Sequence, residues 1–221
     1  MTPFVYQALA FASERHKDQT YGSGPFTDHL EEVLGHAILF GCNDEEVLAA
    51  CVLHDIVEDT DVTLDELRAT FGDNVADMVD AVTDSPKSSL HPNRRARKER
   101  TWDLIAQTPG AIVVKLADRC SNFAACMRER PEMVQMYSKS HGDFMERLWS
   151  VIQEDEAALV GAGWLLGLQQ RALTEGPWKK NRSSKKPTAS SARAGYGEVN
   201  DEQQDDRGPC ICARAGAEER T

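Results

Sequence analysis

Three short segments of the 221-residue chain gather residues that can do chemistry. His54-Asp55 and Glu58-Asp59 put one imidazole and three carboxylates within six residues, directly after the apolar run Leu48 to Val52. Carboxylates at the end of a buried helix are costly unless they are paired, protonated or bound to a cation. Histidine and aspartate are sound ligands for Mn²⁺, Fe²⁺ or Zn²⁺. Glu58, one turn after His54, has the spacing of a base that reaches a metal-bound water. The alternative is a helix that merely ends in solvent. In the second segment, Lys115, Asp118 and Asn122 recur at i, i+3 and i+7 through the apolar run Ile112 to Ala117. A polar stripe on a buried helix needs partners. A cation shared with His54 and Asp55 would serve Asp118, and so would a salt bridge to Lys115 or Arg119. The third segment is Pro25-Phe26-Thr27-Asp28-His29, just before a helix. Of the six histidines, His29 and His54 are the candidate ligands. His16 is placed to hydrogen-bond a ligand or a phosphate, His36 and His91 read as ordinary helix or loop residues, and His141 has no assigned role.

Helices must position these groups, because helical periodicity dominates residues 1–176 and no alternating strand stands out. Phe4, Ala8, Phe11 and Ala12 make one apolar face, and Leu30, Val33, Leu34, Ala37 and Ile38 make a second, stopped by Gly41. Asn43 is the expected cap of a third helix that runs through Val47, Leu48, Cys51 and Val52 to His54 and Asp55. Thr63-Leu64-Asp65-Glu66 has the form of a capping box. Arg94 to Ala106 reads as a basic, exposed helix. Pro109-Gly110 breaks the chain before a helix from Ala111 to Met127, and helices near 132–152 and 154–173 complete an all-α bundle.

Composition narrows the function classes. The chain carries 25 Lys plus Arg against 36 Asp plus Glu, a net charge of −11. Residues 177–221 are +2 and residues 1–176 are −13. An acidic body argues against general nucleic-acid binding. No apolar run is long enough for a membrane span, and the amphipathic N-terminus does not read as a signal peptide. The segment 177–221 holds Val199 and Ile211 as its only Leu, Ile, Val or Phe residues, which predicts a disordered basic and polar tail. Cys42, Cys51, Cys120 and Cys126 fall in apolar helical patterns and read as buried thiols of a reducing, cytoplasmic compartment. Cys210 and Cys212 form a Cys-x-Cys with no second ligand pair.

Together the segments resemble the HD-domain superfamily of metal-dependent phosphohydrolases. Within it they are most similar to the RelA/SpoT-type (p)ppGpp hydrolase domain and the stand-alone Mesh1-like small alarmone hydrolases. The likeness rests on His16-Lys17-Asp18-Gln19, on Pro25 to His29, on Leu53 to Thr60, on Thr63, Glu66, Leu67, Phe71 and Gly72, on Val82-Thr83, and on Val114 to Asn122. It implies an HD-domain helical bundle in which His29, His54, Asp55 and Asp118 bind one Mn²⁺. It implies that Glu58 and Asp59 orient or deprotonate the attacking water. Asn122 and Tyr137 fall where the family contacts its nucleotide, and Lys17 and Lys115 are the local cations for phosphate. The reaction so implied removes pyrophosphate from the 3′ position of guanosine tetra- or pentaphosphate, so the expected partner is a phosphorylated guanosine nucleotide. The oligomeric state is left open.

This sequence also departs from the family pattern. Thr20-Tyr21 stands where the family carries an Arg-Lys pair, Phe123-Ala124-Ala125 follows Asn122 where an arginine is common, and Met133 replaces an arginine of some members. These positions concern substrate recognition and leave the metal set intact. Two other functions therefore stand beside the first: an HD phosphohydrolase acting on NADPH or a nucleoside monophosphate, and a non-catalytic nucleotide-binding HD protein. Retention of Glu58 and Asp59 argues against the last.

Overall fold

The computed structural model of the protein describes residues 1–84, 93–175 and 212–213. Its helices are α1 (Pro3–Arg15), α2 (Phe26–Leu39), α3 (Glu45–Leu53), α4 (Ile56–Asp59), α5 (Leu64–Phe71), α6 (Asp73–Val82), α7 (Arg94–Gln107), α8 (Ala111–Glu129), α9 (Val134–Ile152) and α10 (Glu156–Glu175). A 3₁₀ turn, Pro131–Met133, links α8 to α9. The expected all-α architecture is present, with one addition. Thr20–Tyr21 (β1) and Gly24–Pro25 (β2) form a two-residue antiparallel ladder between α1 and α2, and Cys212–Ala213 (β3) pairs with the other edge of β1. Two-residue strands carry no alternation long enough to read from sequence. His91, Cys210 and the rest of the tail lie outside the described residues.

The helix ends follow local chemistry. Thr2 caps α1 and Pro3 occupies its first turn, where a missing N–H costs nothing. The cap of α3 is Asp44 and not the expected Asn43; the Asp44 carboxylate accepts from the amides of Glu46 and Val47. A carboxylate suits that place because it also meets the positive end of the helix dipole. Thr63 caps α5 by accepting from the Glu66 amide at 3.2 Å, but the capping box is only half made. The Glu66 carboxylate turns instead to Arg15, at 2.7 Å, and ties α5 to α1. Gly110 starts α8 at φ +80°, and a Cβ there would meet Met78 and Val47 at 2.8 Å. Glycine is needed for both the left-handed backbone and the close approach.

The core is built around α8, which packs on α2, α3, α6, α9 and α10. Every residue of α3 from Val47 to Leu53 is buried, as its unbroken apolar character predicts. The basic helix α7 is less exposed than expected. Its Arg97, Thr101 and Ile105, spaced four apart, face inward at 5%, 2% and 0% exposure. On α9, His141 is 1% exposed, with its ring 5.1 Å from that of Phe123 and its Nδ1 without a partner. Burial, reinforced by Arg119 and Lys98, depresses its pKa to about 2. The unfolded chain takes up a proton below about pH 6.5 that the native ring refuses, so stability falls with pH. The loss between pH 7 and pH 5 is about 2 kcal/mol. His141→Phe is expected to be less sensitive to acid than wild type by that amount, read from urea midpoints at the two pH values. Equal acid sensitivity would show that His141 titrates normally in the fold.

Candidate active site

The His54-Asp55 pair sits at a break in the chain's helical path. His54 ends α3, and Asp55 precedes α4 with φ −99° and ψ −1°. Neighbours on one regular helix point about 100° apart. The break instead lets both side chains face one point, with His54 Nε2 3.0 Å from Asp55 Oδ2. The continuous helix expected through His54 and Asp55 is thus two helices.

His29, on the first turn of α2, enters from the other side. Its Nε2 lies 3.2 Å from His54 Nε2 and 3.7 Å from Asp55 Oδ2. Asp118 of α8 completes the cluster, with Oδ1 3.7 Å from His29 Nε2 and 3.8 Å from His54 Nε2. The tightest set is His29, His54 and Asp55, whose ligand atoms lie within 4.8 Å of one another. The outer nitrogens define what the inner ones can do. His54 Nδ1 is 2.9 Å from the Cys51 carbonyl oxygen, which only accepts, so Nδ1 carries the proton. His29 Nδ1 is 3.0 Å from Ser121 Oγ, whose own proton goes to Glu32 Oε2 at 2.8 Å. In their neutral forms, both imidazoles therefore turn their Nε2 lone pairs to the centre, beside two carboxylate oxygens.

Such a centre calls for positive charge. Burial disfavours the His54 imidazolium, yet Asp55 and Asp118 outweigh burial and hold its pKa up at about 9. Burial likewise opposes ionisation of Asp55, and His54 and His29 drive it well below the ordinary carboxylate range. Asp118 is lowered in the same way, against burial, chiefly by Lys115 and His54. Asp118 divides its two oxygens. Oδ1 faces the imidazoles and accepts from Asn122 Nδ2, and Oδ2 pairs with Lys115 Nζ at 3.1 Å. Of the two salt-bridge partners considered for Asp118 from sequence, Lys115 is used and Arg119 is not. That guanidinium instead binds the Ser140 carbonyl at 2.9 Å and lies over the Phe144 ring.

Glu58, on α4, accepts from the Asp84 amide at 3.4 Å. Burial first, then the charges of Asp55 and Asp84, push its pKa up to about 7. Asp59 follows it, and its carbonyl accepts from Gln19 Nε2 at 2.7 Å. Gln19 also bonds His16 Nδ1, at 2.8 Å, so His16 braces the Gln19–Asp59 turn. Tyr137, on α9, is buried with its ring against Phe123 and His141. Lys17 is not drawn into the cluster; its ammonium pairs with Glu14 in solvent. Ser121 and Glu32 went unrecognised in the sequence, and Tyr21 was noted there only as a departure from the family pattern. The Tyr21 ring stacks on His29 at 4.4 Å, and its hydroxyl donates to Asn122 Oδ1 at 2.9 Å. Ser121 had a legible signal, since it follows Asp118 by three residues on the same helix face. Glu32 follows His29 by the same interval.

The profile of the HD domain matches residues 8–144. The chain belongs to the HD-domain family. Among curated relatives, it is 32% identical over 164 residues to the mouse guanosine-3′,5′-bis(diphosphate) 3′-pyrophosphohydrolase MESH1, covering 70% of this chain and 90% of that protein. The human MESH1 is 35% identical over 132 residues, covering 58% and 72%. A Synechocystis protein described as a probable guanosine-3′,5′-bis(diphosphate) 3′-pyrophosphohydrolase is 33% identical over 148 residues; the match spans 65% of this chain but only 19% of that longer protein. A solved structure of a metazoan ortholog of SpoT superposes with a TM-score of 0.55 at 23% identity, covering 77% of this chain and 94% of that one. That likeness supports the fold.

HD domains imply a divalent metal, and the donor set fits one: two bare imidazole nitrogens and two ionised carboxylates, of hard and borderline character. A cation must displace the proton that His54 holds up to about pH 9. Affinity for Mn²⁺ is therefore expected to rise by up to tenfold per pH unit between pH 6.5 and 9, with one proton released per ion. Calorimetry in two buffers of different ionisation enthalpy reads the release. No proton released at pH 7 would mean that His54 is already neutral. In the metal-free protein the same raised pKa stabilises the fold fully below about pH 6.5, and this contribution fades as pH rises through about 9.

Proposed function

We propose that this protein is a Mn²⁺-dependent phosphohydrolase that converts guanosine-3′,5′-bis(diphosphate) to GDP and pyrophosphate. The convergence of His29, His54, Asp55 and Asp118 on one point beside Glu58 carries the reading. Kinship to the mouse and human MESH1 proteins supports the substrate class. When bound, the ion would polarise a phosphoryl oxygen and make water a better nucleophile near neutral pH.

The chain's own groups divide the remaining work. Glu58, with a pKa near 7, is suited to accept the proton lost by the attacking water. Asp59, braced through Gln19, orients that water alongside it. Lys115 keeps its charge in a buried site: burial would lower its pKa, but Asp118, Asp84 and Asp55 raise it above the ordinary value. It supplies a cation at the site for phosphoryl charge. Asn122 and Tyr137 are the nucleotide contacts in this reading. Residues 1–176 form the phosphohydrolase domain.

One observation favours a second substrate. Tyr21 stands where the family carries a cation, and here its hydroxyl and ring are already engaged by Asn122 and His29. A site without the family's Arg-Lys pair at Thr20-Tyr21 suits a less highly charged nucleotide, such as NADPH or a nucleoside monophosphate. A panel with Mn²⁺ separates the cases: guanosine tetraphosphate, NADPH and nucleoside monophosphates, with product identified by chromatography. Pyrophosphate release from guanosine tetraphosphate is expected, and His54→Ala is expected to abolish it. Release no faster than in His54→Ala would overturn the first reading, and phosphate from NADPH or a monophosphate would establish the second. Glu58→Gln is expected to retain Mn²⁺ by elemental analysis and to lose 10²- to 10⁴-fold in turnover. Loss of the ion instead would make Glu58 a ligand.

A further inference from the structure

The two imidazoles of the cluster are held by different means. His54 is oriented by the backbone carbonyl of Cys51, a partner that no side-chain substitution removes. His29 has no such carbonyl; its Nδ1 faces Ser121 Oγ at 3.0 Å. Ser121 is fully buried, and its hydroxyl also faces Glu32 Oε2 at 2.8 Å. Glu32 Oε1 is in turn held by Arg128 at 3.2 Å, at the protein surface. The Glu32–Ser121–His29 chain thus runs from a surface ion pair to the buried centre.

A serine hydroxyl has one proton and two lone pairs, and an ionised carboxylate only accepts. The hydroxyl proton goes to Glu32, the charged acceptor at 2.8 Å, in preference to the neutral Tyr21 oxygen that also lies beside Ser121. Only a lone pair is then left for His29, whose Nδ1 must be the protonated nitrogen. We infer that Glu32 and Ser121 are positioning residues that set the tautomer of His29 and keep its Nε2 lone pair aimed at the metal centre. The stacked Tyr21 ring and the edge of Phe26 hold the plane of the imidazole. Neither contact distinguishes Nδ1 from Nε2; at Nε2 the nearest group is His54 Nε2 at 3.2 Å, with Asp55 and Asp118 oxygens farther off at 3.7 Å, so the shorter Ser121 contact at Nδ1 sets the proton position. Losing such support of a ligand histidine typically costs 10- to 100-fold in metal affinity. The metal half of this inference rests on the phosphohydrolase reading; the tautomer half does not.

The test uses the full chain labelled with ¹⁵N-histidine and assigned at His29 and His54. In the metal-free wild type, His29 is expected to show the Nδ1–H pattern of shifts. Ser121→Ala is expected to give a mixture. Glu32→Gln lets an amide donate to Ser121, turns the hydroxyl proton toward His29, and is expected to favour Nε2–H. Ser121→Thr keeps the hydroxyl and should restore the wild-type pattern, and His54 should be unmoved throughout. Mn²⁺ affinity by calorimetry should fall 10- to 100-fold in Ser121→Ala and Glu32→Gln and recover in Ser121→Thr. Glu32→Gln is a half-exposed, isosteric change, so it remains informative if Ser121→Ala fails to fold. Unchanged His29 signals with affinities within twofold of wild type would overturn the relay. If wild type binds no Mn²⁺ at all, the phosphohydrolase reading fails, and the tautomer signals alone decide the relay.

Discussion

Four electron-pair donors from three parts of the chain point at one buried spot, and that convergence constrains everything around it. Two imidazole nitrogens 3.2 Å apart, each with carboxylate oxygens of Asp55 and Asp118 within 3.8 Å, crowd lone pairs that repel unless something positive lies among them. Short of a cation, Asp55 and Asp118 favour a proton on His54, whose Nε2 lies 3.0 Å from Asp55 Oδ2. A divalent cation satisfies the same demand with twice the charge and more acceptors engaged. The site is therefore built to take a cation, and the surrounding groups are there to keep the four donors from turning away.

Helix α8 does most of that holding. It contributes Lys115, Asp118, Ser121 and Asn122, spaced so that all four fall toward one side of the helix. The helix is enclosed by α2, α3, α6, α9 and α10, so its side chains have little freedom to relax. Each contributes a different restraint. Lys115 and Asn122 hold Asp118, Ser121 holds His29, and Asn122 takes the hydroxyl of Tyr21. A site supported on a rigid helix keeps its geometry better than one carried on loops.

The charge distribution bears on what such a site can bind. An anionic nucleotide approaches a body that carries −13, so the long-range field opposes it. Attraction must come from the centre itself and from the few cations beside it. Lys115 is one of these, kept charged by three carboxylates. Lys17 is committed to Glu14, and position 21 holds a tyrosine instead of a cation. The anion complement of the pocket is thus concentrated at the cation-binding cluster and Lys115.

The amino-acid sequence by itself determined the helices, the buried character of α3 and α8, and the presence of His29, His54, Asp55, Glu58 and Asp118 as a candidate set. Apolar periodicity and motif spacing are local properties, and they survive without knowledge of the fold. Asn43 and Asp44 show the limit of even local reading: both can cap a helix, and only the backbone geometry chooses between them. The inward face of α7 was hidden because Arg97 and Thr101 are polar residues, whose burial depends on what lies opposite. The same holds for Glu32, Ser121 and Tyr21. Their roles arise from contacts across 92, 89 and 101 residues of chain, and no spacing rule reaches that far. Only tertiary structure could decide that His54 and Asp55 face one point, because this requires a break between α3 and α4 that their helical pattern does not announce. It alone decides the tautomers as well, since a proton's position on an imidazole follows from the partner that packing places beside it.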